Sequence, residues 1–128
     1  MQVFDLKAMK AYPYEEGDKN VFYKAKEFKA RIIELQAGGE MPTCEMASYV
    51  IFYVIEGAAE VRVNQEIINI KEGQCLITEP ATLSMKTNDG VKIMGIQVVK
   101  SLKQCRLTAG MQFATAYSNS DKSELRIP

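Results

Sequence analysis

The chain has 128 residues and a mass of 14.4 kDa, with 16 basic residues, 16 acidic residues and no histidine. This length fits one domain that buries a core without disulfides or metals. The balanced, scattered charges form no basic patch, which argues against a nucleic-acid partner. The longest apolar run, residues 49–55, is far shorter than the ~20 residues of a membrane-spanning helix, so no membrane partner is expected.

The cysteines indicate a reducing compartment. Cys44, Cys75 and Cys105 are odd in number and form no Cys-x-x-Cys pair. Residues 1–14 contain charged side chains and lack the apolar centre of a signal peptide. We therefore expect a cytoplasmic protein with reduced thiols.

The N-terminal segment is ambiguous. Residues 3–10 fit either a short helix or an edge strand, and Tyr12-Pro13 would end either one.

Short segments that alternate apolar and polar residues follow in the chain. Residues 28–32 and 59–63 have this period of two, which is typical of strands. Asn64-Gln65 predicts a tight turn, because asparagine tolerates positive φ. Further strands are predicted at 75–78, 83–87 and 91–99, separated by turns at residues 71–73, 79–80 and 88–90. Short strands at this spacing favour an all-β sandwich or barrel.

Residues 49–55 depart from alternation because both faces of this strand are apolar. Val50, Phe52 and Val54 would face one side, and the other side would carry Tyr49, Ile51, Tyr53 and Ile55. An apolar outer face must be covered by the chain's own terminal segments or by a second subunit. We favour a second subunit and expect a homodimer.

The chain shows no internal repeat or linker and is predicted to be one domain. Its barrel core would span about residues 20–100, followed by a C-terminal extension, 101–128, with a polar tail from Ser118.

A glycine-bounded motif supports a specific fold. Gly38 and Gly57 bracket Cys44, Met46 and Val50 at a spacing that resembles the first motif of the small single-domain cupins. The resemblance implies that these glycines, Gly57 included, mark turns between barrel strands. A second stretch, from Gly73 through Pro80 to Asp89, is similar to the second cupin motif. The resemblance covers about residues 30–99. It implies an all-β double-stranded β-helix, or jelly-roll barrel, of six to eight strands, usually dimeric, with a pocket inside the barrel mouth.

The resemblance does not extend to the metal site of the family. Its metal-ligand positions fall on Cys44, Met46, Val50 and Met85, where the family has histidines and a glutamate. None of these side chains is the hard or borderline donor that iron, manganese, nickel or zinc prefers. We therefore expect no metal and no cofactor, and an oxygenase of the usual kind is disfavoured.

Two interpretations of the substituted site stay open. In the first, the thiol, thioethers and valine fill the space as ordinary apolar groups, with Cys44 buried and inert. In the second, Cys44, Met46 and Met85 form a soft site for Cu(I).

If the barrel mouth stays open, the sequence predicts a mostly apolar binding pocket. Its predicted lining residues are Cys44, Met46, Ser48, Val50, Phe52, Met85, Thr87 and Gln97. The favoured function is therefore binding of a small, largely apolar molecule, or a role as a sensing or scaffold subunit. The alternatives are a Cu(I)-binding protein or an enzyme with an atypical site. With no histidine available, Glu45, Glu56 and Glu79 are the remaining candidates for a catalytic base, and we assign no catalytic residue.

Overall fold

The structure, a computed structural model, describes residues 1–98. Val99, Cys105 and the predicted extension 101–128 lie outside the described residues. A 3₁₀ segment, Tyr14–Asn20, precedes eight strands. The strands are β1 (Val21–Lys24), β2 (Phe28–Leu35), β3 (Glu40–Met46), β4 (Val50–Val63), β5 (Glu66–Lys71), β6 (Cys75–Thr78), β7 (Ala81–Lys86) and β8 (Val91–Val98). No helix in this part of the chain is long and apolar enough to cross a membrane.

The strands form two antiparallel layers that share β4. The first layer has the order β1-β2-β8-β4-β6, and the second has the order β5-β4-β7-β3. The N-terminal half of β4 pairs with β6 and β8, whereas its C-terminal half pairs with β5 and β7. The layers therefore close on each other as a jelly roll, and the all-β barrel prediction is confirmed.

The turn that we predicted at Gly57 is wrong, because β4 runs through this residue as one strand of 14 residues. Gly57 has φ of 85°, a conformation that side chains other than glycine rarely adopt. A Cβ atom at this position would lie 2.3 Å from the carbonyl oxygen of Gly90. Glycine thus bends β4 from one layer into the other without ending the strand.

The core lies between the layers and consists of aliphatic and aromatic side chains from the inner faces. Val54, Val61, Leu83 and Ile93 are the largest side chains that are fully buried. Phe52 and Met85 belong to the same cluster. The predicted strand at 75–78 matches β6, and the turn at Asn64 is confirmed by its positive φ of 56°.

The N-terminal segment is neither of the elements that we predicted. Residues 6–8 form a single turn, in which the amides of Ala8 and Met9 donate to the carbonyl of Asp5. The side chain of Lys92, on the outer face of β8, donates to the carbonyls of Lys7 and Met9. These bonds hold the segment over the first layer, so tertiary contacts rather than local propensity fix its path.

The apolar outer face of β4 is only partly covered. Ile55 is buried, although it does not belong to the core cluster that contains Phe52 and Val54. Tyr49 and Tyr53 remain 49% and 37% exposed, and neighbouring Ile77 on β6 is 65% exposed. The described residues therefore leave an apolar surface on the first layer.

Candidate functional site

One cavity opens at the end of the barrel, between the two layers and the 3₁₀ segment. Its volume is about 260 Å³, slightly below the range for drug-sized ligands. The lining residues are Tyr14, Arg31, Ile33, Met41, Cys44, Met46, Val50, Phe52, Leu83, Gly95, Ile96 and Gln97. Most of these side chains are apolar, so the cavity can accept a small organic molecule.

The first layer supplies one wall through paired residues on adjacent strands. Val50 of β4 lies opposite Gln97 of β8, and Phe52 lies opposite Gly95. Directly opposed residues share a face of the sheet, so both pairs point into the cavity. A Cβ atom on Gly95 would lie 3.4 Å from both the Phe52 ring and the Ile33 side chain. The glycine therefore leaves room beside the Phe52 ring.

The second layer supplies the sulfur-containing wall. Cys44 of β3 lies opposite Leu83 of β7, and both line the cavity together with Met41 and Met46. The expectation that Cys44 is buried is wrong, because this free cysteine is exposed; that its thiol is inert stays a prediction. A register shift between Met41 and Cys44 interrupts the pairing of β3 with β7 just before Cys44.

Two polar lining residues escaped our sequence analysis, namely Tyr14 and Arg31. Arg31 pairs with Gly95 and shares the inner face of β2 with buried Ile33. The apolar residues that suggested a core-facing strand, Ala30 and Ile32, lie on the outer face and are buried there. The uninterrupted apolar pair Ile32-Ile33 was the available signal that both faces of β2 are covered.

Arg31 and Tyr14 come together because the 3₁₀ segment crosses the cavity mouth. A Cβ atom on Gly17 of this segment would lie 3.4 Å from a terminal nitrogen of Arg31. Burial raises the pKa of the Tyr14 hydroxyl; nearby Cys44 raises it further, and the positive charge of Arg31 acts in the opposite direction. Tyr14 is therefore a neutral hydroxyl at pH 7, able to donate one hydrogen bond and accept others.

Five of the eight predicted pocket residues line this cavity, namely Cys44, Met46, Val50, Phe52 and Gln97. Ser48, Met85 and Thr87 lie elsewhere. Ser48 is buried, and its hydroxyl has no hydrogen-bond partner within residues 1–98. The hydroxyl of Thr87 donates to the carbonyl of Ala58 at 2.7 Å and accepts from the amide of Gly90 at 3.0 Å, so it fixes a turn.

Met85 lies in the core because its partners on the adjacent strands are themselves core residues. It pairs with Met41 on β3 and with Val61 on β4, and it is 3% exposed. The three carboxylates considered as bases, Glu45, Glu56 and Glu79, are exposed, and none of them lines the cavity.

The residues present do not fit the metal that the cupin resemblance implies. The four ligand positions hold a thiol, two thioethers and an aliphatic side chain, and Met85 is separated from the cavity that the other three line. Within residues 1–98, no three His, Cys, Asp or Glu side chains form a group that could hold a metal ion. This donor set lacks the imidazoles and carboxylate of the usual site.

Comparison with solved structures identifies the fold. The chain matches the cupin domain of Schizosaccharomyces pombe Cnp3 with a TM-score of 0.59 and 23% identity over 67% of this chain and 66% of that domain. A cupin superfamily protein from Desulfitobacterium hafniense gives a TM-score of 0.59 at 10% identity, over 62% of this chain and 74% of the other. The chain thus spans just under two thirds of the Cnp3 domain.

An enzyme is also among the similar structures. Salicylate 1,2-dioxygenase from Pseudoaminobacter salicylatoxidans, in complex with gentisate, matches with a TM-score of 0.55 and 19% identity, over 62% of this chain but 22% of that enzyme. No protein-family model matches the chain, and no curated protein matches its sequence. These similarities establish the architecture: the chain has the cupin fold. At such identities they show the fold alone, and the reaction of a neighbour does not transfer.

Proposed function

We propose that this cupin-fold protein binds a small, largely apolar molecule in the barrel cavity, in a carrier, sensing or scaffold role without a metal. The observation that carries the proposal is the 260 Å³ cavity with its mostly apolar lining. Burial of apolar ligand surface against such a lining yields about 25 cal/mol per Å². The unpaired cysteines Cys44 and Cys75 agree with action in the cytoplasm.

The fold allows this role without catalysis. The cavity wall contains neither carboxylate nor histidine, so these two kinds of general acid and base are missing from the lining residues of the described chain. The polar groups that remain, including Gln97, are of the kind that orients a ligand.

Methionine methyl groups offer a direct test. The protein would be labelled with ¹³C at its methionine methyls and titrated with a library of small organic compounds. We expect a binding compound to shift the methyl resonances of Met41 and Met46, which line the cavity. Met94 is the control, because the strand register places it opposite Tyr53 on the outer face.

A cavity-filling variant separates binding in the cavity from binding elsewhere. Met46→Trp should place an indole in the cavity and abolish the ligand-induced shift at Met41, whereas Met46→Leu should preserve it. Both variants should keep a cooperative thermal transition, because Met46 is only half-buried. If no compound shifts Met41 or Met46 in the parent protein, or if Met46→Trp leaves binding intact, the proposal is wrong.

A second candidate function is a soft-metal site, which is favoured by the three sulfur side chains of Met41, Cys44 and Met46 around one cavity. Thiolate and thioether donors suit Cu(I). Anaerobic titration of the reduced, untagged protein against a competing Cu(I) chelator tests this alternative. Stoichiometric copper binding by the parent protein that is lost in Cys44→Ser would support the soft-metal site. If the competing chelator retains all the copper, this site is excluded.

A further inference from the structure

The cavity contains one permanent positive charge within an otherwise neutral lining. Arg31 lines the wall, and none of the other lining residues is acidic. Within residues 1–98, no carboxylate lies within 4.0 Å of the Arg31 guanidinium, since the ion pairs found there are Lys19 with Glu16 and Lys86 with Glu60. Placing a half-buried cation beside apolar groups costs free energy, and this cost falls when an anion pairs with the cation.

Two polar side chains that could help Arg31 to hold an anion, Tyr14 and Gln97, line the same cavity. The Tyr14 hydroxyl stays protonated at neutral pH because its pKa is raised, chiefly by burial. It can therefore donate a hydrogen bond to an anionic oxygen. The Gln97 side chain, which also lines the cavity, offers two further N–H donors. Met41 and Leu83 on the second layer, and Phe52 on β4 of the first layer, offer only apolar contacts.

We propose that the ligand of this cavity is a small organic monocarboxylate, with its carboxylate on Arg31 and Tyr14 and its apolar body against Met41, Phe52 and Leu83. This inference rests on the proposed function. A guanidinium presents parallel N–H donors that match the two oxygens of a carboxylate. A cavity with one cationic side chain among many apolar ones fits a ligand with one anionic group on an apolar body.

The charge of the site favours a carboxylate over a phosphate monoester. A phosphate monoester carries about 1.5 to 2 negative charges at pH 7. Arg31 is the one charged lining residue in the described chain, so part of the phosphate charge would lack a partner beside apolar groups. That desolvation is costly. A single carboxylate charge is matched by the single guanidinium.

The test compares acids with neutral partners of the same carbon skeleton. Benzoate, phenylacetate and hexanoate would be titrated beside benzyl alcohol, 2-phenylethanol and hexanol, with phenyl phosphate as the dianionic probe. The readout is the methyl resonances of Met41 and Met46 at pH 7 and constant ionic strength. We expect at least one acid to bind more tightly than its alcohol and more tightly than phenyl phosphate.

Arginine variants identify the group responsible. Arg31→Met should weaken binding of that acid by about tenfold or more and leave its alcohol unchanged, because a hydrogen bond to a charged group is being lost. Arg31→Lys keeps the charge without the paired donors and should restore binding in part. Arg62→Met is the matched control, since Arg62 is exposed and lies outside this cavity. Melting temperatures of all variants check that they fold.

The possible outcomes separate this inference from the proposed function. If acids and alcohols bind equally, or if Arg31→Met leaves acid binding unchanged, the monocarboxylate assignment is wrong although the cavity binds ligands. Tighter binding of phenyl phosphate would overturn the carboxylate in favour of a phosphate. If neither these probes nor the compound library shifts Met41 or Met46, both proposals fail.

Discussion

At the residue scale, Met85 is a core residue at a position where the cupin resemblance implies a metal ligand. It is 3% exposed and packs in the cluster that includes Val61 and Leu83. A lysine at this position would bring an unpaired charge into the apolar interior, at a cost of about 3 kcal/mol or more. We expect Met85→Lys to lower the free energy of unfolding by this amount, measured by urea denaturation.

Met85→Leu provides the control for this substitution. It keeps volume and polarity nearly constant, so the expected loss is under about 1.5 kcal/mol. If Met85→Lys were as stable as Met85→Leu, the side chain would have access to solvent and its core position would be wrong.

The residues of the cavity were only partly predictable from the sequence. Cys44, Met46 and Val50 followed from the glycine-bounded motif, because strand alternation places them on one face. Arg31 did not follow, since an arginine in an alternating strand is normally assigned to solvent. Tyr14 could not be assigned either, because its place depends on how the 3₁₀ segment crosses the barrel. Both depend on contacts between elements distant in sequence.

At the element scale, Gly57 allows β4 to serve both layers. Its φ of 85° is shared by Gly73, which lies in a turn. The two positions differ in their surroundings. A Cβ on Gly57 would lie 2.3 Å from the Gly90 carbonyl oxygen, whereas a Cβ on Gly73 would have nothing within 4 Å.

This pair separates backbone strain from steric overlap. Alanine at either position must adopt positive φ, which costs about 1–2 kcal/mol. Gly57→Ala also forces β4 away from Gly90, so we expect it to be the more destabilising by about 1–3 kcal/mol. Thermal and urea unfolding of both variants measure the difference. If the two variants were equally destabilised, the close approach of β4 to Gly90 would add nothing to the cost of alanine at Gly57.

The element predictions succeeded where the signal was local. The strand at 75–78 and the turn at Asn64 follow from alternation and turn chemistry, and both were confirmed. The interpretation of Gly57 as a turn was wrong, because sequence shows that a glycine is present but not that its strand continues into a second sheet. The N-terminal segment was also misassigned, since its conformation depends on the Lys92 side chain of distant β8.

At the scale of the whole molecule, the fold was predictable because glycine spacing and strand length act together. Eight strands fall within the predicted range, and their jelly-roll arrangement follows the cupin resemblance. Function is less predictable, because the choice of ligand depends on a few cavity side chains. The same barrel can carry many different sets of such side chains.

The exposed face of the first layer leads to the last prediction, a homodimer. Tyr49 and Tyr53 of β4 and Ile77 of the adjacent strand β6 form an exposed apolar surface, and monomeric proteins rarely expose large surfaces of this kind. Light scattering at micromolar concentration should give about twice the chain mass of 14.4 kDa.

Ile77→Lys should shift the mass to that of a monomer, because it places a charge in the contact between the two subunits. Ile67→Lys, at a similarly exposed position in β5 of the other layer, should remain dimeric. A monomeric parent protein would refute the prediction, and equal dissociation of both variants would place the interface elsewhere.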